Sequence, residues 1–185
     1  MGWVTRRQLT NLLAALGIAV VLAGLACGLP ALDRALPSDR PVRSDEPYLI
    51  AAGVTVVPPR GAVLDVTGTR PGDHEGTALF RIGPVRYAIA VQPFEGTLAT
   101  AAARLRQRIT GTPGYQVTGG QLAVATGSGI HGLQGGYTAP GRGGRYAVYV
   151  ADQLTIEVTI SGSELDLGRT LPAVEASTRT IRYGR

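Results

Sequence analysis

The chain has 185 residues, 44% of them hydrophobic, with 26 Gly, 12 Pro and a formal net charge of +5. That composition is too apolar for an intrinsically disordered chain, and its length suits one core-forming domain plus an appended segment. Nucleic-acid binding is excluded by the charge pattern: from Pro30 onward 16 Arg stand against 13 acidic residues, a net of +3, with no concentrated basic face.

The N-terminus carries the strongest signal. Arg6 and Arg7 precede an uncharged stretch from Gln8 to Ala31, and within it Leu12–Leu29 has no strongly polar side chain. A bilayer-spanning helix needs roughly 20 apolar residues, and a helix satisfies its own backbone donors and acceptors in hydrocarbon. The run exceeds the roughly 7–15 residue apolar region of a cleaved signal peptide. The predicted organisation is a cytoplasmic tail over 1–8, a transmembrane signal anchor over 9–30, a Pro-rich charged tether over 31–47, and an extracytoplasmic domain over 48–185. The positive-inside rule orients it with the N-terminus in the cytoplasm, so the membrane is a partner through residues 9–30. Two alternatives stay open: lipidation at Cys27, preceded by the poorly matching Gly24-Leu25-Ala26, and cleavage near Ala31. Cys27 is the only cysteine, so the outer domain has no disulfide. All 18 basic residues are Arg and Asn11 is the only Asn, which reads as GC-rich coding before it reads as a surface selected for anions.

After Tyr48 short apolar runs alternate with Gly, Pro and Asp. Gly53–Val57 and Ala62–Val66 read as short strands. Thr77–Ile82 and Val85–Gln92 are separated by Gly83-Pro84 alone, and the second alternates with period two, which predicts a hairpin. The period then changes. Leu98, Ala102, Leu105 and Ile109 form one stripe, Thr97 suits the N-cap, and Gly111 with Pro113 ends the helix. Strand-like runs resume at 115–117, 121–126 and 132–139. A second hairpin joins Arg145–Ala151 to Leu154–Ser161 through Asp152-Gln153, with Leu154, Ile156, Val158 and Ile160 facing the core and Glu157 facing away. A C-terminal helix is predicted over 171–182 with Pro172 in its first turn. Strands in runs, joined by hairpins, give an α+β fold: a mostly antiparallel β-sheet packed against two helices, preceded by the N-terminal transmembrane helix.

Gly53-Val-Thr-Val-Val-Pro-Pro at the entry, Gly96-Thr-Leu opening a helix that ends at Arg108-Ile109, Gly114-Tyr115 after it, and the hairpin Tyr146–Ile160 resemble a PsbP-like domain. The version in question occurs in small membrane-attached envelope proteins of mycobacteria and relatives. The resemblance covers residues 50–183 and departs from the family where Ala62, not Trp, follows Gly61. It implies a non-enzymatic binding or assembly accessory, some members being tied to envelope lipid or glycan metabolism, with no catalytic residues to carry over.

His74, in Pro-Gly-Asp-His-Glu-Gly, suits a polar turn better than a metal site, because adjacent residues rarely converge on one ion. Ser128 has Gly on both sides, but no helix follows it as a nucleophile elbow requires. Arg104, Arg106 and Arg108 read as a solvated helix face. His131, and Arg142 and Arg145 in an expected mobile Gly-rich loop, are the candidate contacts to an acidic partner or a lipid headgroup. No catalytic residue, metal ligand or cofactor is assigned. The function expected is a membrane-anchored, non-enzymatic accessory or binding module of the cell envelope, whose partner is another envelope protein or lipid. The alternatives are a carrier of lipid or a small hydrophobic ligand, needing an apolar pocket between helix 98–110 and the sheet, and thirdly an uncharacterised envelope enzyme.

Overall fold

The computed structural model describes residues 39–184. The predicted anchor with its orientation, and Cys27, lie outside the described residues, and among those residues no helix is long and apolar enough to cross a membrane.

The hairpins predicted by two-residue connections form. Strands β5 (Gly76–Ile82) and β6 (Val85–Pro93) pair antiparallel across Gly83-Pro84. Strands β9 (Arg142–Ala151) and β10 (Leu154–Gly162) pair across Asp152 and Gln153, whose φ values of 48° and 63° are those of a primed hairpin turn. Two further strands, β7 (Gln116–Ala125) and β8 (His131–Ala139), pair with each other, and β8 also pairs with β9. With β1 (Asp39–Pro41) and β4 (Val63–Asp65) these make an eight-stranded antiparallel sheet in the order β1-β4-β5-β6-β10-β9-β8-β7. A smaller sheet joins β2 (Tyr48–Ala51), β3 (Val54–Val56) and β11 (Arg182–Tyr183) in the order β11-β3-β2.

Helix α1 spans Leu98–Thr110, with Thr97 Oγ1 accepting from the Thr100 amide and Gly111 at its C-cap, as its stripe and caps predict. Helix α2 spans Glu164–Arg179. It begins seven residues before the predicted start. Ser163 is the N-cap: its hydroxyl accepts from the Asp166 amide and donates to the Asp166 carboxylate, a capping arrangement that the apolar stripe alone does not reveal. Pro172 therefore lies inside the helix, not in its first turn.

The alternation along β9 and β10 divides the core in two. Ala147 and Tyr149 join Tyr87, Ile89, Ile156, Val158 and Val174 of α2 in one cluster, which also takes in Ile50, Val54 and Val56 of the small sheet. Tyr146 and Val148 join Phe94, Ala101, Ala102 and Leu105 of α1 in the other. So α2 and the small sheet cover one face of the large sheet, and α1 covers part of the opposite face.

Four sequence expectations change. The tether over 31–47 supplies β1, because Asp39–Pro41 pairs with Val63–Asp65 and the Asp39 carboxylate accepts from Arg81 at 3.1 Å. The runs 115–117 and 121–126 belong to the single strand β7, interrupted by an irregularity between Thr118 and Leu122. The Gly-rich stretch expected as a mobile loop is strand, turning only at Pro140-Gly141. Glu157 faces away from the α2 core, as its register requires, but it is buried there because α1 packs over it and supplies Arg108 as its ion-pair partner.

Candidate functional site

In the Thr126–Ile130 turn the Ser128 side chain has structural partners. Its hydroxyl donates to the Ile181 carbonyl at 3.0 Å and shares a 2.9 Å hydrogen bond with Thr126 Oγ1. The Gly127 amide donates to the Arg179 carbonyl at 2.7 Å. The Gly127 bond receives one of the last carbonyls that a helix end leaves unsatisfied, and the Ser128 bond holds the chain two residues beyond it. Ser128 is a latch on the C-terminus of the helix.

Beside this latch lies a cleft of about 270 Å³ between α2 and strands β7 to β10. Its polar lining comes from Gln134, Arg145, Glu175, Thr178 and Arg179. Arg145 donates to Glu175 at 3.0 Å, and both side chains are partly exposed. Tyr149 forms part of the wall. Burial pushes its hydroxyl above the usual phenol range, and the positive charge of Arg179 pulls it partly back. Deeper on the same face the Tyr87 hydroxyl is fully enclosed, hydrogen-bonded to Thr178 at 3.0 Å and pushed up by burial to about 12. The cleft therefore presents two guanidiniums and one carboxylate to solvent over an aromatic and aliphatic floor.

The three residues singled out from sequence do not converge. Arg145 is in the cleft. Arg142 is exposed at the start of β9, three residues away and so on the other face of the strand. His131 is exposed at the first position of β8, whose far end pairs with Arg142 about 27 Å along the strand, at ~3.4 Å per residue. Sequence reasoning missed Glu175 and Arg179 as neighbours of Arg145. Their i, i+4 spacing lies within the predicted helix 171–182, but nothing in the sequence shows that this helix packs beside β9, which is what brings them to Arg145.

A second concavity, of about 460 Å³, runs along α1 on the opposite face of the sheet. It is lined by Gln92, Pro93, Phe94, Ala101, Arg104, Gln107, Arg108, Thr155 and Glu157. Arg104 and Arg108 are thus not a merely solvated helix face. The Arg104 guanidinium carbon sits 5.1 Å from the centre of the Phe94 ring, and Arg108 donates to Glu157. The Thr155 hydroxyl is buried with no hydrogen-bond partner among the described residues, a condition that costs about 1–3 kcal/mol. His74 is exposed in the turn before β5.

No family model and no curated protein sequence matches the chain. Solved structures do resemble it. The solution structure of cyanobacterial PsbP (CyanoP) from Synechocystis superposes with a TM-score of 0.52 at 15% identity, over 72% of this chain and 88% of that one. The crystal structure of PA94, a protein of unknown function from Pseudomonas aeruginosa, gives 0.51 at 16% identity over 62% and 87%. LpqN of Mycobacterium tuberculosis, described as involved in cell envelope biogenesis, gives 0.47 at 11% identity over 76% and 91%. At these identities the likeness concerns the fold: residues 39–184 form a PsbP-like α+β domain.

Proposed function

We propose that the chain is a membrane-anchored, extracytoplasmic, non-enzymatic accessory module of the cell envelope, and that it contacts a protein partner through the cleft between α2 and the sheet. One observation carries the reading: around that cleft the hydroxyls suited to catalysis are engaged in holding α2, Ser128 on Ile181 and Tyr87 on Thr178, while Arg145, Glu175 and Arg179 face solvent. At about 270 Å³ the cleft falls below the ~300–1,000 Å³ typical of small-molecule sites, which favours a charged partner side chain as its occupant. The apolar run Leu12–Leu29 supports placing the module at a membrane. A carrier of apolar ligands is disfavoured, because the groove beside α1 that would have to hold the chain is lined by Gln92, Arg104, Gln107, Arg108 and Glu157.

Two measurements test this. A C-terminal reporter active only outside the cytoplasm is expected to signal in the full chain, and to fractionate away from membranes when residues 9–30 are deleted. Cross-linking from a photo-reactive residue at position 176, on the exposed side of α2 between Glu175 and Ser177, is expected to yield one discrete adduct that a charge reversal at Arg179 removes. A cytoplasmic reporter, or an enzymatic turnover abolished by Ser128→Ala in a folded protein, overturns the proposal.

A further inference from the structure

The groove on the α1 face, which the proposed partner contact leaves unused, has the makings of a separate ligand site. We propose that it binds a phosphate group, presented by a free phosphate ester or by a lipid headgroup. Arg104 and Arg108 are one helical turn apart, so both guanidiniums rise from the same flank of α1. Arg108 is held by Glu157, whose side chain is only 10% exposed, so the position of that guanidinium is fixed by the fold. Arg104 is oriented against Phe94 and has no acidic partner among the described residues, which leaves its fork of donors unspent.

The strand side of the groove adds neutral donors. Thr155 and Gln92 are register partners across β10 and β6, so their side chains rise from the same face. Thr155 is 4% exposed, and its hydroxyl has no partner among the described residues. Two guanidiniums against one carboxylate leave a local excess of one positive charge. A carboxylate can be satisfied by a single guanidinium fork. A phosphate offers non-bridging oxygens in a tetrahedral array, three in a monoester and two in a lipid diester, and rewards donors arriving from more than one direction, here a helix on one side and two strands below. The volume of about 460 Å³ accommodates such an ester. The site is independent of the anchoring and partner readings, since every group in it belongs to α1, β6, β10 and the connection after β6.

The test is isothermal titration of the full chain in a non-ionic detergent with inorganic phosphate, glycerol phosphate, a short-chain phosphatidylglycerol and acetate. The expected result is saturable binding of at least one phosphate compound, weakened about tenfold by Arg104→Gln and severalfold by Thr155→Val, with Arg145→Gln on the other face having no effect. Binding of the free esters assigns the site to soluble phosphate, and binding of the lipid alone assigns it to headgroups. Arg104 is exposed, so its replacement leaves the fold intact, which unchanged near-UV circular dichroism verifies. Absence of saturation by every phosphate compound, acetate binding as tight as phosphate, or binding unchanged by Arg104→Gln overturns the proposal.

Discussion

Tyr87 is enclosed on every side, and its ionisation is the residue-scale property with the clearest consequence. Its hydroxyl is raised from 10.0 to about 12, chiefly by burial, with its hydrogen bonds to Ser177 and Thr178 offsetting a part. In the unfolded chain the phenol ionises near its ordinary value; in the fold it stays neutral. Below pH 10 both states are protonated and the group has no influence on the pH dependence. Above pH 10 the unfolded state loses its proton first, so stability falls with rising pH until the folded state ionises near 12. A shift of this size corresponds to about 2–3 kcal/mol. Tyr137 and Tyr149 are also raised by burial and act in the same direction. Urea midpoints measured across this range are expected to decline for the native chain and to decline less for Tyr87→Phe, which itself costs about 1 kcal/mol at neutral pH through the lost hydrogen bond to Thr178. Equal alkaline slopes for the two proteins would refute the assignment.

Among the elements, the β8–β9 hairpin shows why glycine is needed inside strands. Gly132 lies directly opposite Tyr149, Gly135 opposite Tyr146, and Gly144 opposite Tyr137. Each tyrosine ring lies over its glycine, in space that a Cβ would occupy. Tyr137 crosses Gly144 far enough for its hydroxyl to reach the Ile160 carbonyl at 3.0 Å. A Cβ at Gly144 would collide with both the ring and that carbonyl, whereas at Gly143 the nearest atom is 3.7 Å away. Gly144→Ala is therefore expected to lower unfolding stability by about 2–4 kcal/mol, while Gly143→Ala stays within ~1 kcal/mol of the native chain. Denaturant titration of the pair decides the point, and equal effects would show that the rings are free to move. The same hairpin shows why parts of the fold were hidden in the sequence. Val85–Gln92 and Leu154–Ser161 were legible because their alternation is carried by side chains, and α1 was legible because stripe and caps agree. The run 132–139 was legible as a strand, but in Gly141–Arg145 the space beside the backbone is filled by the Tyr137 ring of the neighbouring strand, so glycine there imitates a loop. The phosphate-type groove was hidden for a related reason: Arg104 and Arg108 look solvated on α1 until Phe94 and Glu157, 10 and 49 residues away, come to meet them.

For the molecule as a whole, three distant segments close the fold behind α2. Ser177 donates to the Val57 carbonyl at 2.6 Å, and Thr180 Oγ1 accepts from the Val57 amide at 2.8 Å. Ser128 donates to the Ile181 carbonyl, and the Gly184 amide donates to the Gly53 carbonyl at 3.1 Å. Ile181 is completely buried in the larger cluster, and β11 completes the small sheet. The last residues thus hold together the entry of the domain, the β7–β8 turn and the helix that forms the cleft. Ending the chain after Arg179 removes the burial of Ile181, about 1.5–3 kcal/mol, together with hydrogen bonds to Thr180, Ile181 and Gly184 that contribute about 1 kcal/mol each. The sum is about 5 kcal/mol, similar to the whole stability of a marginal domain. The shortened chain is expected to lose cooperative thermal unfolding and to become sensitive to limited proteolysis throughout the domain. Ser128→Ala, which removes one of these bonds, is expected to cost only about 1 kcal/mol and to leave phosphate binding at the α1 groove unchanged. A truncated chain that still melts cooperatively would mean that α2 is held by its packing against β6, β9 and β10 alone. In that case the cleft around Arg145, Glu175 and Arg179 would survive without the latch, and partner contact there would not depend on the C-terminal strand.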